Sequence, residues 1–129
     1  MLDAAKIVAF LPTLDFERAR PFFADALGLP LVAEDAYALT FNANGTTLRV
    51  TLVESLAAHP FTVLGWWVDD VPGTVDRLAQ RGVVFERYPS MEQDERGLWA
   101  PPGSRVQVAW FKDPDGNTLS ITGFASAQT

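Results

Sequence analysis

The polar side chains that could bind a small molecule lie at alternating positions of two predicted strands, 46–53 and 118–123. They are Thr47, Arg49 and Thr51 in the first strand and Thr118, Ser120 and Thr122 in the second. Because successive side chains of a strand point to opposite faces, each set shares one face. The opposite faces of the strands are apolar, and we expect them to lie under the helices: Ile7, Ala9 and Leu11, then Leu48, Val50 and Leu52, then Leu64, Trp66 and Val68, with Leu119 and Ile121. Hydroxyl groups donate and accept hydrogen bonds, and a guanidinium pairs with anions. This composition suits a pocket for a moderately polar organic ligand.

Arg49 has two interpretations. If it points into a pocket, its guanidinium needs an anionic partner from the ligand, because burying an unpaired charge is costly. If it lies at the surface of the sheet, it would pair with a carboxylate such as Glu34 or Glu54 instead. The sequence leaves both possibilities open, and they predict different ligands.

Several other site chemistries lack the residues they need. The chain has no cysteine, which excludes disulfides, thiolate metal sites and cysteine nucleophiles. Its one histidine, His59, precedes Pro60 in a predicted link, where we expect an exposed loop residue. The sequence spells out no Ser-His-Asp arrangement and no glycine-rich phosphate loop.

Size and charge limit the class of protein. A chain of 129 residues, 48% hydrophobic and 20% charged, fits one domain or two small modules that share a core. A net charge of −6 argues against nucleic acid as a partner, whereas it is compatible with a cationic ligand. No apolar run approaches the roughly 20 residues that cross a bilayer, and no signal peptide is visible. We therefore expect no membrane partner and a cytoplasmic location.

The predicted elements repeat as two βαβββ modules, 6–54 and 61–123, within a single domain over 1–129. In the first module they are strands at 6–13, 31–34, 37–41 and 46–53 and a helix at 16–27. In the second they are strands at 61–68, 83–88, 106–112 and 118–123 and a helix at 71–80. Asp15 matches Asp70 as a helix cap, and Gly45 matches Gly116 in a turn. Such internal symmetry is stronger support than any single motif.

Three motifs resemble the vicinal oxygen chelate superfamily, which includes glyoxalases, bleomycin-resistance proteins and extradiol dioxygenases. They are Asp15-Phe16-Glu17-Arg18-Ala19-Arg20-Pro21-Phe22-Phe23 followed by Leu27-Gly28-Leu29, then Trp67-Val68-Asp69-Asp70-Val71, and finally Asp113-Pro114-Asp115-Gly116-Asn117. The resemblance covers residues 6–122. It implies an α+β fold in which two modules form half-open sheets around a shared cavity. Since half-open sheets leave long edges, we also expect a homodimer.

The resemblance also indicates where a metal would bind. In the family's metal enzymes the ligands come from the first and last strands of each module, and a Glu usually stands at the place of Ser120. The four places hold Val8, Arg49, Val63 and Ser120. Valine has no donor atom and arginine is a permanent cation, so we expect no metal and no other cofactor.

Aromatic side chains complete the predicted site. Phe10 and Trp67 lie on the cavity faces of their strands, although Trp67 also suits plain packing. Trp99 lies in a loop rich in Pro and Gly, where a large aromatic suits a lid or a dimer contact. Either Trp110 or Phe111 reaches the cavity, depending on the turn register. The predicted ligand-binding residues are Phe10, Arg49, Thr51, Trp67, Trp99 and Ser120, and the charged run 92–96 is predicted to be a solvated loop.

These features favour a metal-free protein that binds and sequesters a small molecule, as bleomycin-resistance proteins sequester an antibiotic. One alternative is a metal-independent lyase or isomerase of the glyoxalase superfamily that acts on a small organic acid or ketone. In that enzyme Arg49 would stabilise an oxyanion or enolate and a carboxylate such as Glu92 would move protons. A further alternative is a regulatory or interaction module with a vestigial cavity.

Overall fold

The structure is a computed structural model that describes residues 1–125 of the chain. The chain divides into two compact units, Met1–Ala58 and His59–Thr129, and each contains one small sheet and a helical segment. The predicted α+β class is therefore confirmed. Within residues 1–125, no helix has the length and apolar character needed to cross a membrane.

The first unit carries a four-stranded sheet. After a 3-10 turn at Leu2–Ala4 come β1 (Val8–Thr13), a helical segment, β2 (Leu31–Glu34), β3 (Ala38–Ala43) and β4 (Thr46–Leu52). The strand order is β1-β4-β3-β2, in which β1 runs parallel to β4 and the other neighbours are antiparallel.

The helical segment of the first unit begins at its predicted cap but changes geometry midway. The Asp15 carboxylate accepts a hydrogen bond from the Glu17 amide at 2.9 Å, and α1 spans Phe16–Pro21. The chain continues as a π-helical turn over Phe22–Ala26, in which the Leu27 amide donates to the Phe22 carbonyl. The predicted helix over 16–27 is therefore confirmed as a helical segment, but its second half is π-helical, and the change of geometry follows Pro21, which has no amide hydrogen.

The predicted alternation of faces in the first sheet is confirmed in the paired part of the strands. Leu11, Leu48 and Val50 are almost fully buried. The same prediction is wrong for Ile7 and Leu52, which are 78% and 43% exposed. Ile7 precedes the first residue of β1 and Leu52 is the last residue of β4. Both therefore lie at strand ends, where the paired part of the sheet continues in only one direction along the chain.

The second unit carries a three-stranded sheet with the order β5-β7-β6. Its elements are β5 (Thr62–Trp67), α2 (Val71–Gln80), β6 (Val106–Lys112) and β7 (Thr118–Phe124), with β5 parallel and β6 antiparallel to β7. Helix α2 packs on β6 and β7. It begins at Asp70, whose carboxylate accepts a hydrogen bond from the Gly73 amide at 3.0 Å, as the predicted cap requires.

The predicted strand 83–88 is wrong, since only an isolated bridge between Phe85 and Phe111 forms there. Beyond that bridge, the amide of Tyr88 and the carbonyl of Glu86 are hydrogen-bonded by the side chain of Gln93. These backbone groups therefore have partners outside a strand ladder, so a strand is not needed to satisfy them.

The turn between β6 and β7 is held by a buried carboxylate. Asp113 Oδ1 accepts hydrogen bonds at 2.9 Å from the amides of Asp115 and Asn117, and Oδ2 accepts one from Asn117 Nδ2 at 2.8 Å. Gly116 follows with a positive φ of 85°, as the predicted turn requires. Burial raises the pKa of Asp113 even though these hydrogen bonds act in the opposite direction. This turn sets the register of the hairpin.

Candidate ligand-binding site

A cavity of about 280 Å³ opens within the second unit. Its lining residues come from the start of β5, the long loop after α2 and the β6–β7 hairpin. They are Pro60, Phe61, Thr62, Tyr88, Ser90, Met91, Trp110 and Thr118. The walls combine aromatic rings, hydroxyl groups and a thioether, and none of the lining side chains is ionised at neutral pH. Such a mixture of apolar surface and a few polar groups suits an organic ligand.

The hairpin register decides which aromatic residue reaches this cavity. Trp110 pairs with Ser120 and Lys112 with Thr118 across β6 and β7. Trp110 therefore shares a face with Ser120 and Thr118, while Phe111 points to the opposite face and is fully buried there. Of Trp110 and Phe111, it is therefore Trp110 that reaches the cavity, which the sequence alone did not decide.

A bulge in β5 brings Thr62 to the same face. Thr62 pairs with Thr118 and Leu64 with Leu119, so Val63 is an extra residue between them. Strict alternation would place Thr62 and Gly65 on opposite faces, but the bulge shifts the phase by one residue. Thr62 and Thr118 therefore both line the cavity.

Two neighbouring rings fix the position of Trp110. The Tyr88 ring meets it edge to face, with centroids 5.6 Å apart and planes at 78°. The Trp99 ring lies 6.0 Å away at 38°. Trp99 is anchored by its own backbone, which exchanges hydrogen bonds of 2.9 and 2.8 Å with Val108 at the edge of β6. The structure thus places Trp99 against the cavity residue Trp110.

The loop wall of the cavity is held by Gln93. Its Nε2 donates to the carbonyls of Glu86 and Gly97 at 2.9 Å each, and its Oε1 accepts from the Tyr88 amide at 2.7 Å. Arg87 adds hydrogen bonds from its guanidinium to the carbonyls of Asp94 and Glu95. The run 92–96 is therefore an organised segment, and its prediction as a merely solvated loop is wrong for Gln93, which is half-buried.

The lining of the cavity carries no charged side chain. The nearby charges of Lys112 and Glu86 pair with each other at 3.5 Å. Burial, followed by the charge of Glu86, raises the pKa of Tyr88 against the opposing effect of Lys112. The phenol therefore stays protonated at neutral pH and remains a hydrogen-bond donor.

Hydroxyl groups supply the hydrogen-bonding capacity of the cavity. Within residues 1–125, the hydroxyls of Thr62, Tyr88 and Ser90 form no hydrogen bond to protein. The Thr118 hydroxyl donates to the carbonyl of His59 at 3.2 Å, which leaves it free to accept. His59 itself is exposed, as predicted, and its ring stacks on Phe61.

Three of the predicted ligand-binding residues meet on one sheet face of the first unit. Phe10 pairs with Arg49 across β1 and β4, and Thr51 is two residues further along β4. Phe10 is 63% exposed. Of the two carboxylates considered as partners of Arg49, Glu34 instead pairs with Arg20 at 2.7 Å. Hydrogen bonds from the Tyr37 and Ala38 amides lower the pKa of Asp35, and the charge of Arg49 lowers it further.

The other predicted residues lie in the second unit. Ser120 is buried next to Gly65, where an added Cβ would stand only 2.6 Å from the serine Oγ. Trp67 is exposed and packs edge to face against Phe124 at 4.9 Å. Ser120 pairs with Trp110 and Trp99 packs on it, yet none of the six predicted residues is among those that line the cavity. Sequence reasoning missed Tyr88, Ser90 and Met91, since no periodicity marks a loop wall.

The residues that the resemblance assigns to the metal positions do not fit a divalent cation. Val8 and Val63 offer no donor and Arg49 carries a positive charge, so Ser120 is the lone oxygen ligand of the set. Within residues 1–125 there is also no group of three or more His, Cys, Asp or Glu side chains that could hold a metal ion.

Comparison with known families identifies the fold. Residues 6–121 match the model of the Glyoxalase/Bleomycin resistance protein/Dioxygenase superfamily. The chain belongs to this superfamily. Membership confirms the resemblance drawn from the three sequence motifs.

Relatives and solved structures agree with this assignment. The uncharacterized protein YraH of Bacillus subtilis (strain 168) is 32% identical over 123 residues, which cover 83% of this chain and 88% of YraH. The fosfomycin resistance protein FosX of Listeria monocytogenes superposes with a TM-score of 0.74 over 97% of this chain and 96% of its own, at 11% identity. A lactoylglutathione lyase of Agrobacterium tumefaciens superposes with a TM-score of 0.66 over 93% of each chain, at 18% identity. At these identities the two structures support the fold alone.

Proposed function

We propose that this protein binds a small organic molecule without a metal ion and acts by sequestering it, as bleomycin-resistance members of the superfamily do. The observation that carries this proposal is the lining of the cavity in the second unit. Three aromatic residues, Phe61, Tyr88 and Trp110, offer stacking surface, and hydroxyl groups offer hydrogen bonds without a charged partner. The residues at Val8, Val63 and Arg49 support binding without a metal.

A ligand-observed NMR screen against natural products and antibiotics tests this proposal. We expect compounds that bind the parent protein and lose binding in Trp110→Leu. The exposed Tyr37, replaced in Tyr37→Ala, serves as the control for general effects of removing an aromatic ring. Hits that bind Trp110→Leu as well as the parent protein would contradict a site in this cavity.

Elemental analysis of protein purified without chelator tests the second half of the proposal. We expect no zinc, iron, manganese or nickel in stoichiometric amount. A stoichiometric metal bound through the positions of Val8, Val63 and Ser120 would contradict it.

A second candidate is a metal-independent enzyme, and Tyr88 is the observation that favours it. Its hydroxyl lines the cavity and has no hydrogen-bond partner within residues 1–125, so it can donate a hydrogen bond to an oxyanion that forms on a bound substrate. Glu92, the carboxylate first considered for proton transfer, is exposed and does not line the cavity. Incubating each hit with the protein and following its NMR spectrum separates the two functions. Conversion that Tyr88→Phe abolishes and Tyr37→Phe retains would establish the enzyme.

A further inference from the structure

We infer that the ligand of this cavity is an uncharged, planar molecule with hydrogen-bonding groups at its edge. This inference rests on the proposed function and narrows the class of ligand to neutral molecules. Neither the net negative charge of the chain nor Arg49 then determines the charge of the ligand. Three features of the second unit support it, namely its charges, its rings and its hydroxyl groups.

The side chains that line the cavity offer no charged partner for an ionic ligand. The lining contains no acidic or basic side chain. The charges of Lys112 and Glu86 act on the pKa of Tyr88 in opposite directions, and the two side chains pair with each other at 3.5 Å. A charged ligand would lose hydration without gaining an opposite charge, which is unfavourable.

The rings favour a flat ligand of modest size. Trp110 contacts the rings of both Tyr88 and Trp99, so its ring is positioned before a ligand arrives and binding costs little side-chain entropy. Aromatic rings prefer stacked or edge-to-face partners. The volume of about 280 Å³ is at the lower limit of typical ligand sites, so one or two fused rings suit it.

The hydroxyl groups call for polar atoms at the edge of the ligand. Thr62, Tyr88 and Ser90 each present a hydroxyl with no hydrogen-bond partner within residues 1–125. Each can donate and accept, so an amide or a similar neutral group can pair with them. A purely hydrocarbon ligand would leave them unpaired at a cost.

A matched series of probes tests the charge of the ligand. The compounds 2-naphthamide, 2-naphthoate and 2-naphthamidine share one planar ring system and nearly one shape, and they differ in being neutral, anionic and cationic at neutral pH. We expect the full-length protein to bind 2-naphthamide at least about tenfold more tightly than either ion, as a charge buried without a partner is costly. Isothermal titration measures the three dissociation constants. Comparing Tyr88→Phe with the control Tyr37→Phe reports the contribution of the cavity hydroxyl to binding. We expect weaker binding of 2-naphthamide only in Tyr88→Phe.

Each other outcome has a distinct meaning. Tighter binding of naphthoate or naphthamidine, still lost in Trp110→Leu, would overturn the inference about ligand charge and leave the proposed function standing. Equal binding of all three probes would overturn it as well. No binding of any probe at millimolar concentration, together with a ligand screen without Trp110-dependent hits, would overturn the proposed function and the inference with it.

Discussion

Replacement of Gln93 by methionine should loosen the loop wall of the cavity. Gln93 joins three backbone groups that lie four to seven residues away in sequence, namely the amide of Tyr88 and the carbonyls of Glu86 and Gly97. Methionine keeps much of the side-chain volume but removes both the donor and the acceptor. The change therefore tests the hydrogen bonds and not the packing of the loop.

The expected magnitude follows from the number of bonds lost. Each hydrogen bond contributes about 0.5 to 1.5 kcal/mol net, so three part-buried bonds give a loss of about 1.5 to 4.5 kcal/mol in the free energy of unfolding. The same replacement at the exposed Gln80, the last residue of α2, provides a matched control. Gln80→Met should change the free energy of unfolding by no more than about 0.5 kcal/mol.

Urea unfolding and hydrogen exchange measure the two consequences. The urea midpoint of Gln93→Met should fall at an unchanged slope. Exchange of the Tyr88 amide should accelerate, because that amide donates to Gln93 Oε1 at 2.7 Å. Binding of 2-naphthamide should weaken as Tyr88, Ser90 and Met91 lose their fixed positions. If Gln93→Met unfolds at the same urea concentration as Gln80→Met and the Tyr88 amide keeps its protection, Gln93 does not organise this wall.

Further predictions concern the sheets and the assembly. Gly65→Ala should destabilise the protein by about 1 to 3 kcal/mol in urea unfolding, since its Cβ would stand 2.6 Å from Ser120 Oγ. Adding Ser120→Ala should recover more than about 1 kcal/mol, and simple additivity would refute this contact. Arg49→Met should leave the binding of 2-naphthamide unchanged. A loss of about 1.5 to 3 kcal/mol in the binding free energy of 2-naphthoate would instead identify Arg49 as the partner of an anionic ligand. Sedimentation at micromolar concentration should show a homodimer, and a stable species of 14.1 kDa would contradict it.

Much of the fold could be predicted because its signals are local. Asp15 and Asp70 cap helices through contacts two and three residues away, and the 113–117 turn is held by hydrogen bonds within itself. Strand alternation placed Leu11, Leu48 and Val50 in the core correctly, since that rule requires only neighbours in sequence. The errors arose where one residue alters a regular element. Pro21 turns the end of a helix into a π turn, and the bulge at Val63 shifts the face of Thr62.

The cavity wall was harder to predict because its shape depends on contacts between segments that carry no periodic pattern. Tyr88 ends the wrongly predicted strand 83–88, and Ser90 and Met91 belong to a stretch rich in Pro, charge and polar residues, which resembles any solvated loop. What distinguishes it is a single half-buried amide side chain, Gln93, and its partners lie between four and seven residues away. Nothing in composition separates such a glutamine from the exposed Gln80. In this superfamily fold the sheets can therefore be predicted from strand alternation. The positions of the cavity residues in the loop depend instead on the hydrogen bonds within that loop. Comparing the stability of Gln93→Met with that of Gln80→Met tests this dependence.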